Sequence, residues 1–186
     1  MCSLHFMFMT YLTWIALYLV FAICLVVGVF GGAWYGAIWM KLPKQKVTNM
    51  IELASLHPGV VVYDLGAGFG NITFKAAQSG AKVVAVEADG FKAWWIKMQI
   101  KKKQLSNVTV VHGNLLNMDL SKADVLLCYL SGMLMKHISQ MPLKQGCVIV
   151  SAEHKIHAWK PIAVDNSSFT NHLYVYRVGE SNCYRN

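Results

Sequence analysis

Hydrophobic and polar positions follow two different patterns on either side of Lys41. Before Lys41 the chain contains no Asp, Glu, Lys or Arg, whereas beyond it short apolar runs alternate with amphipathic stretches. Short apolar runs bounded by turns predict strands, and stretches with a period near 3.6 residues predict helices. We predict strands at 60–64, 82–87, 108–112, 123–130, 146–152 and 172–178, a short strand at 161–164, and helices near 70–79, 90–105 and 131–141.

This alternation of strands and helices predicts an α/β domain: a doubly wound, Rossmann-like, mostly parallel sheet with helices on its faces. The last run, 172–178, alternates apolar and polar residues, as an edge or antiparallel strand does. Upstream, Val47 to Ala54 predicts a short amphipathic helix that ends before His57-Pro58-Gly59. We expect this helix to cover the edge of a ligand cleft.

The segment Tyr11–Phe30 is apolar and long enough to cross a bilayer, which takes about 20 residues. Trp34, Tyr35 and Trp39 then resemble an interfacial aromatic belt, and three lysines follow directly. No basic region precedes the segment, which argues against a cleaved signal peptide. We therefore predict a single-pass helix with a span of about 11–32, and the lysines place the remainder of the chain on the cytoplasmic side of the membrane.

The expected organisation is a membrane anchor at 1–40, a basic linker and covering helix at 41–58, and the α/β domain at 59–186. Gly28, Gly32 and Gly36 fall on one helix face at small-xxx-small spacing. That spacing allows a homodimer through the anchor, although glycine is common in membrane helices in any case.

The motif that organises the α/β domain runs from Val60 to Asn71. Four apolar or aromatic residues lead into Asp64, and three alternating glycines follow before a helical pattern resumes. Glycines at a strand-to-helix turn accept positive φ and let a ligand lie against bare backbone. A dinucleotide fingerprint would need its third glycine where Asn71 stands. The spacing instead resembles the first motif of the class I S-adenosylmethionine-dependent methyltransferases.

A second acid supports this resemblance. Glu87 ends the strand 82–87, and in a doubly wound sheet that position lies beside the glycine turn. Its two carboxylate oxygens can there accept both hydroxyls of a ribose. The alternative is an ordinary β-turn-α unit with a surface acid at the end of its second strand. We expect S-adenosyl-L-methionine as the cofactor.

The helix near 90–105 carries Trp94, Trp95 and Met98 among five lysines. One interpretation packs the tryptophans on the sheet and leaves the lysines in solvent. A second rests these lysines, with those after the anchor, on anionic lipid headgroups. A nucleic-acid surface uses similar residues, but tethering to a bilayer disfavours it, and we expect no nucleic-acid partner.

The five cysteines are scattered and include no Cys-x-x-Cys pair. The pattern therefore indicates neither a disulfide framework nor a zinc site, and we expect no metal. Cys128 and Cys147 lie within predicted strands, where free thiols suit a reducing compartment.

Beyond the general class, the region from Val47 onward resembles the small membrane-anchored seven-β-strand protein-lysine methyltransferases. That group includes enzymes acting on the ATP synthase c subunit and the adenine nucleotide translocase, with small prokaryotic relatives. The matching segments are Met50–Ala54, Val62–Gly68, Glu87 with the tryptophan-bearing helix, Asp119–Ser121 with Asp124-Val125, Tyr129-Leu130, and Trp159–Pro161. The resemblance implies N-methylation of an accessible lysine in a membrane or membrane-associated protein.

The resemblance also implies which residues hold the cofactor. They lie in the glycine turn and at the ends of the next two strands: Asp64, Gly66, Ala67, Gly68, Gly70, Glu87 and Asn114. Phe69 stands where the family tends to have an acid, and this change removes a charge from the cofactor loop. Asn114 replaces an aspartate, but its amide oxygen can still accept from an adenine amino group.

Methyl transfer from a sulfonium to an amine is an in-line displacement, so the protein mainly aligns a neutral amine and excludes water. A lysine with a pKa of about 10.4 must first lose its proton. Catalytic groups are expected at the carboxyl ends of the fourth and fifth strands, facing the switch point of the sheet. Tyr129 and Glu153 are the chosen candidates, with Ser131 and His154 beside them, and an aromatic face from Tyr129 or Trp159 can stabilise a cationic amine.

Three functions remain open at this stage. The first is a membrane-anchored protein-lysine methyltransferase, since anchoring raises the effective concentration of membrane targets. The second keeps the chemistry but methylates a phospholipid or another small lipophilic amine at the bilayer surface. The third is a catalytically silent binding or scaffold protein. It is suggested by Phe69 and Asn114, which depart from the family's pattern. Failure to bind the methyl donor separates the third function from the other two.

Overall fold

The structure is a computed structural model that describes residues 2–30, 40–167 and 172–181. The chain divides into two compact units, Met1–Ile38 and Trp39–Asn186. Two of the three glycines proposed for a dimer, Gly32 and Gly36, lie outside the described residues, as does the belt of Trp34, Tyr35 and Trp39.

The first unit contains one helix, α1 (Cys2–Phe30). Its stretch Met9–Val26 has a mean hydropathy of 2.1 and no buried residue. By length and composition α1 is sufficient to cross a membrane, as a helix of its 29 residues extends for about 44 Å. The hydroxyls of Thr10 and Thr13 donate to the carbonyl oxygens of Met7 and Thr10, at 2.8 and 2.7 Å. Both polar side chains are therefore satisfied within the helix itself.

The second unit is built on a seven-stranded sheet in the order β3-β2-β1-β4-β5-β7-β6. Its strands are β1 (Val61–Leu65), β2 (Lys82–Glu87), β3 (Val108–His112), β4 (Val125–Cys128), β5 (Val148–Ala152), β6 (Ala163–Asp165) and β7 (Leu173–Arg177). The first five are parallel, and β7 pairs antiparallel with both β5 and β6. The predicted α/β doubly wound fold is confirmed. The last strand is antiparallel as expected, but it is not an edge, because β6 lies outside it.

Four helices complete this unit: α2 (Lys44–Leu53), α3 (Asn71–Ala77), α4 (Gly90–Lys103) and α5 (Gly132–Ile138). The helix expected at 47–54 begins three residues earlier, directly after Pro43. Its buried Val47 and Met50 join Val62, Val83 and Leu127 in the core. All four residues of β4 are buried, as expected of a central strand covered on both faces.

Helix α4 departs from the interpretation that packs its tryptophans on the sheet. Ala93 and Ile96, at 1% and 0% exposure, make that contact instead. Trp94 and Trp95 remain 50% and 37% exposed. Asp89 caps the helix by accepting from the backbone N–H of Phe91 and Lys92. The cap sets where the helix begins, and the two small or branched residues set which face meets the sheet.

The basic stretch at 41–58 also contains a lysine that is not in solvent. Lys46 is 4% exposed, and its Nζ lies 3.1 Å from Oδ2 of Asp165, at the end of β6. Asn49 donates to the same oxygen at 2.9 Å, and Nζ also contacts the hydroxyl of Ser167. These contacts hold the pKa of Asp165 well below its usual range, with the hydrogen bond from Asn49 as the largest cause. The cluster ties α2 to the β6 edge of the sheet.

Candidate functional site

The position of the site follows from the strand order, which changes direction between β1 and β4. From β1 the chain adds β2 and β3 on one side, and β4 and β5 then lie on the other. The loops that leave β1 and β4 therefore separate, and a crevice opens at the carboxyl ends of these two strands. Cofactor candidates follow β1 and β2 on one side of this crevice. Acceptor candidates follow β4 and β5 on the other.

The glycine turn leaves β1 with three left-handed residues. Gly66, Gly68 and Gly70 have φ of +74°, +58° and +84°. A Cβ on Gly66 would lie 2.8 Å from Cδ2 of Leu130, and one on Gly70 would lie 2.6 Å from the ring of Phe74. The left-handed backbone favours glycine at both positions, and a side chain there would also have to displace Leu130 or Phe74. Ala67 and Gly66 donate their N–H groups to the carbonyl oxygen of Val86, which fixes the turn against β2.

Glu87 lies beside this turn, at the end of β2 as the sequence places it. Its carboxylate is 8% exposed and accepts from the N–H of Gly68 at 2.6 Å through Oε2. The other oxygen, Oε1, accepts from the N–H of Asp89 at 2.9 Å. Each carboxylate oxygen has a second lone pair, so both can still accept from a ligand hydroxyl. The sequence did not reveal that Glu87 also holds the glycine turn in shape.

Asp64 is the other buried acid on this side, at 1% exposure. Burial is the largest cause that raises its pKa, to about 6; the nearby charge of Glu87 adds to the rise, and a hydrogen bond from the Thr73 hydroxyl opposes it. Thr73 lies in α3 and is fully buried. It was missed by the sequence analysis, since a threonine in the first turn of a helix carries no signal for a specific partner.

Asn114 follows β3 and begins a single turn of 3-10 helix at Leu115–Asn117. Its Oδ1 accepts from the N–H of Leu116 at 3.0 Å, and the side chain is exposed. Gly113, just before it, donates its N–H to the carbonyl oxygen of Glu87. This bond brings Asn114 to the same end of the sheet as Glu87.

The opposite side of the crevice brings Tyr129 and Glu153 together. Burial of the Tyr129 phenol raises its pKa above the ordinary value, and the charge of Glu153 raises it further. Glu153 follows β5 in a left-handed conformation with φ of +69°, and its N–H donates to the carbonyl oxygen of His172. Left-handed residues other than glycine cost about 1–3 kcal/mol and are concentrated at functional sites.

Three buried polar atoms in the described part of the chain have no hydrogen-bond partner: Ser131 Oγ, Trp159 Nε1 and His172 Nδ1. All three belong to the segments that follow β4 and β5 or that precede β7. Trp159 is 7% exposed and packs edge-on against Tyr176, with ring centroids 6.2 Å apart. An unpaired buried donor or acceptor is costly, so such groups usually pair with other polar groups or with ordered water. His172 was missed by the sequence analysis.

His154, the remaining acceptor candidate, is exposed. Its Nδ1 lies 3.6 Å from the position of a Cβ on Gly132, so its ring faces the beginning of α5. Its carbonyl oxygen accepts from the hydroxyl of Ser151 at 2.6 Å. The residue thus lies at the rim of the crevice, and its backbone braces the end of β5.

The two cysteines described in this unit, Cys128 and Cys147, contribute no reactive group to the crevice. Cys128 and Cys147 are both buried and unpaired. Burial raises the pKa of Cys147 to about 12 and that of Cys128 further still, so both remain protonated thiols. Among the described residues no three His, Cys, Asp or Glu side chains gather as metal ligands.

Comparisons with known proteins agree with this geometry. The family described as the ANTKMT methyltransferase domain matches residues 64–163. A protein-lysine N-methyltransferase of Saccharolobus islandicus is 30% identical over 151 residues, which cover 76% of this chain and 94% of that protein. Among solved structures, an RNA methyltransferase of Salinibacter ruber in complex with S-adenosyl-L-homocysteine is 27% identical, with a TM-score of 0.72 over 76% of this chain and 95% of that one.

A more distant structure shows the same fold. A S-adenosylmethionine-dependent methyltransferase of Geobacter sulfurreducens, also in complex with S-adenosyl-L-homocysteine, is 21% identical. It matches with a TM-score of 0.53 over 60% of this chain and 49% of that one. The expected cofactor is therefore supported both by family and by structural likeness.

Proposed function

The chain belongs to the family described as the ANTKMT methyltransferase domain, and on that premise we propose that it is a membrane-anchored protein-lysine N-methyltransferase. It is a class I methyltransferase that uses S-adenosylmethionine. The relation to the Saccharolobus islandicus protein-lysine N-methyltransferase, over nearly the whole length of that protein, carries the choice of lysine as the acceptor.

The residues of the glycine turn fit this cofactor. Left-handed glycines place no side chains at positions 66 and 68, so a ligand can lie against the backbone there. The buried carboxylate of Glu87 retains lone pairs for two hydroxyls, and that of Asp64 supplies a second negative charge nearby. In our proposal Asp64, Gly66, Ala67, Gly68, Gly70, Glu87 and Asn114 hold the cofactor. When bound, it supplies a methyl group already activated by a sulfonium.

The acceptor side has the features that a lysine needs. The Tyr129 phenol stays protonated at neutral pH because burial and Glu153 raise its pKa. Its oxygen can accept a hydrogen bond from the incoming amine, and the ring face can stabilise positive charge. The carboxylate of Glu153 attracts the lysine ammonium to the crevice. The half-buried surroundings of Tyr129 then favour the neutral amine that reacts.

Membrane anchoring is the second part of the proposal. It is supported by the 18 residues Met9–Val26, which are apolar and without a buried side chain, and by the absence of any charged Asp, Glu, Lys or Arg before Lys41. An exposed apolar helix of this length is stable in lipid, where its backbone groups are paired internally. The lysines that follow place the methyltransferase unit on the cytoplasmic side in our proposal.

Calorimetric titration tests the cofactor site. S-adenosylmethionine is titrated into the full chain in lipid nanodiscs, with Glu87→Ala and a matched control, Glu52→Ala, whose side chain is exposed on α2. We expect binding by wild type and control and a loss of about 100-fold or more in the Glu87 variant, since two hydroxyl contacts and the turn geometry are lost. A folded wild-type chain that binds no cofactor would support the silent scaffold.

Transfer of a labelled methyl group identifies the acceptor. Membrane fractions are incubated with labelled cofactor and the full chain, and label is then separated into protein, lipid and RNA. Methyllysine in a membrane protein, lost with Glu87→Ala, is the expected result. Label confined to lipid would favour a lipophilic amine instead, and label confined to RNA would align the chain with the activity named for the Salinibacter ruber structure.

A further inference from the structure

Helix α4 exposes an apolar stripe. Phe91, Trp94, Trp95 and Met98 follow one another at i, i+3, i+4 and i+7, so they share one helix face. Their exposed fractions are 62%, 50%, 37% and 46%. The core-facing residues of the helix are Ala93 and Ile96, on a different face. Four large apolar side chains thus form a continuous exposed surface, which we name the α4 stripe. Such a patch marks an interaction site.

The α4 stripe continues into a pocket beside the cofactor turn. The pocket has a volume of about 280 Å³ and is lined by Lys41, Phe69, Asn71, Phe91 and Trp95. The ring of Phe69 stands nearly perpendicular to those of Phe91 and Trp95, with centroids 6.5 and 6.3 Å away. Phe69, which replaces the usual acid of the cofactor loop, therefore extends the apolar surface. Lys41 and Asn71 supply one cation and one amide at the pocket wall.

The polar part of α4 carries charge of a single sign. The helix contains five lysines and no acidic residue: Lys92, Lys97, Lys101, Lys102 and Lys103. Lys92 is paired with Asp89, with Nζ 3.3 Å from Oδ2, whereas the other four are exposed. Tryptophan rings flanked by exposed lysines match the interface of an anionic bilayer: the aromatic rings lie at the level of the headgroups, and the cations meet the phosphates.

The chain keeps this surface close to a membrane if α1 lies in one. Lys41 follows Phe30 by eleven residues, and even an extended chain of that length reaches only about 40 Å. We propose that the α4 stripe and the adjoining pocket dock on the surface of a bilayer containing anionic phospholipid. Tryptophans enter the interface, and Lys41, Lys97 and Lys101 contact headgroup phosphates.

This inference rests on the proposed membrane location and deepens it. A single anchor alone does not set the orientation of the methyltransferase unit at the bilayer, whereas a second contact does. The contact involves Phe69, a residue of the cofactor turn itself. Docking therefore sets the cofactor side of the crevice at the lipid surface, and the acceptors that fit are lysines that lie close to the headgroups.

Tryptophan quenching in the full chain tests the contact. The protein is placed in nanodiscs of phosphatidylcholine with phosphatidylserine, with or without bromine in the acyl chains, and the signal of each tryptophan set is obtained by subtracting a Trp→Phe variant. We expect the signal lost in Trp94→Phe/Trp95→Phe to be quenched by brominated lipid and protected from aqueous iodide. In the buried control, Trp159→Phe, the lost signal should be quenched by neither.

Trp14→Phe makes failure of the anchor distinguishable from failure of the stripe. Trp14 lies within Met9–Val26 and is 72% exposed. Bromine quenching of Trp14 with free iodide access to Trp94 and Trp95 would overturn the docking proposal and keep the anchor. Bromine quenching of Trp94 and Trp95 without bromine quenching of Trp14 would overturn the anchor and keep the docking. Iodide protection that depends on protein concentration, without bromine quenching, would assign the stripe to a second copy and overturn the proposal.

Charge reversal tests the role of the lysines. Lys97→Glu/Lys101→Glu is compared with Lys82→Glu/Lys122→Glu. This control pair is exposed and lies at the amino ends of β2 and β4. We expect bromine quenching of Trp94 and Trp95 to fall by about twofold or more in the α4 variant and not in the control. Equal bromine quenching of Trp94 and Trp95 in the two variants would refute recognition of anionic lipid. So would wild-type quenching that is as strong in nanodiscs of phosphatidylcholine alone as in those with phosphatidylserine.

Discussion

The two sides of the crevice differ in how their polar groups are satisfied. On the cofactor side Asp64 and Glu87 are buried, yet each already accepts hydrogen bonds from the protein. On the acceptor side Ser131, Trp159 and His172 each keep a buried polar atom without a partner. The protein itself thus pairs the buried carboxylates of the first side, whereas it offers no partner to these three atoms on the second.

This contrast has a physical meaning. A preformed site binds without further ordering, which suits a cofactor common to a whole class of enzymes. Buried groups that the protein leaves unpaired favour a ligand that pairs with them, so in our proposal these three groups contribute to the choice of acceptor. Backbone strain also differs between the two sides. The left-handed positions of the cofactor side are glycines, which adopt positive φ without strain, whereas on the acceptor side Glu153 adopts it with a side chain.

The largest expected effect comes from breaking the cofactor side at Gly66. In Gly66→Ala the new Cβ meets Leu130 at 2.8 Å on a residue with φ of +74°. Strain and overpacking together should lower the free energy of unfolding by about 2–4 kcal/mol, measured by urea denaturation. Gly59→Ala is the matched control, since its φ is +95° but no heavy atom lies within 4 Å. Equal losses in both variants would show that Leu130 yields freely.

On the acceptor side the strongest effect is expected from Tyr129→Phe. If that oxygen aligns the amine as we propose, its loss should lower kcat about 10–100-fold. The Kd for S-adenosylmethionine should stay within about twofold of wild type, since the residue lies across the crevice. Single-turnover methyl transfer and calorimetry measure the two quantities. A weakened Kd at unchanged kcat would move Tyr129 to the cofactor side.

A smaller effect, with a defined pH dependence, is expected from Asp64→Asn. The pKa of Asp64 is raised from 3.8 to about 6 in the folded chain, so the folded state binds the proton more tightly than the unfolded state. Its ionisation therefore lowers wild-type stability as pH rises from about 4 to 6. Asp64→Asn should gain about 1–3 kcal/mol at pH 7 and nothing below about pH 4.

Asp124→Asn is the control of opposite sign. The side chain of Asp124 accepts from Lys144 and from the N–H of Val61, and these contacts lower its pKa. That group stabilises the fold above its unfolded pKa and loses this effect in acid, so its variant should be less stable than wild type at pH 7. Denaturation curves at several pH values, in which both variants behave alike, would contradict the assigned burial of Asp64.

The smallest effect is expected where Glu153→Gly removes the strain of the acceptor side. Glycine adopts φ of +69° without penalty, which should raise the free energy of unfolding by about 0.5–1 kcal/mol. Methyl transfer should nevertheless fall, because the carboxylate is lost. Ala158→Gly, with φ of +66°, is the matched control. A similar gain in stability with full activity there would tie the loss to the carboxylate and not to backbone freedom.

The cofactor side was largely predictable from sequence. Asp64, the three glycines and Glu87 lie within 24 residues, and their roles in the fold follow from strand ends and left-handed turns. The acceptor side was less so: His172 meets Glu153 only because β7 inserts antiparallel between β5 and β6. A local sequence pattern cannot predict this contact, because the two segments become neighbours only when β7 inserts into the sheet.

Two further misses have physical reasons. One of the two interpretations packed the tryptophans of α4 on the sheet, because large apolar residues usually define the buried face, but Ala93 and Ile96 are the residues buried there. Lys46 was counted as part of a basic linker, because composition cannot show that Asp165 lies 3.1 Å from it in the fold. Both errors concern which face of a helix is covered, and that depends on partners distant in the chain.

The Lys46–Asp165 cluster has a consequence for synthesis on the ribosome. Its two residues are 119 positions apart, so Lys46 emerges long before the acid that pairs with it. At about 5–20 residues per second this delay lasts about 6–24 s. During that interval Lys46 lacks its partner, the sheet against which Val47 and Met50 pack is still incomplete, and α1 is already available to the membrane insertion machinery. Insertion should therefore precede domain closure, and the apolar face of α2 is a candidate for chaperone binding in the nascent chain.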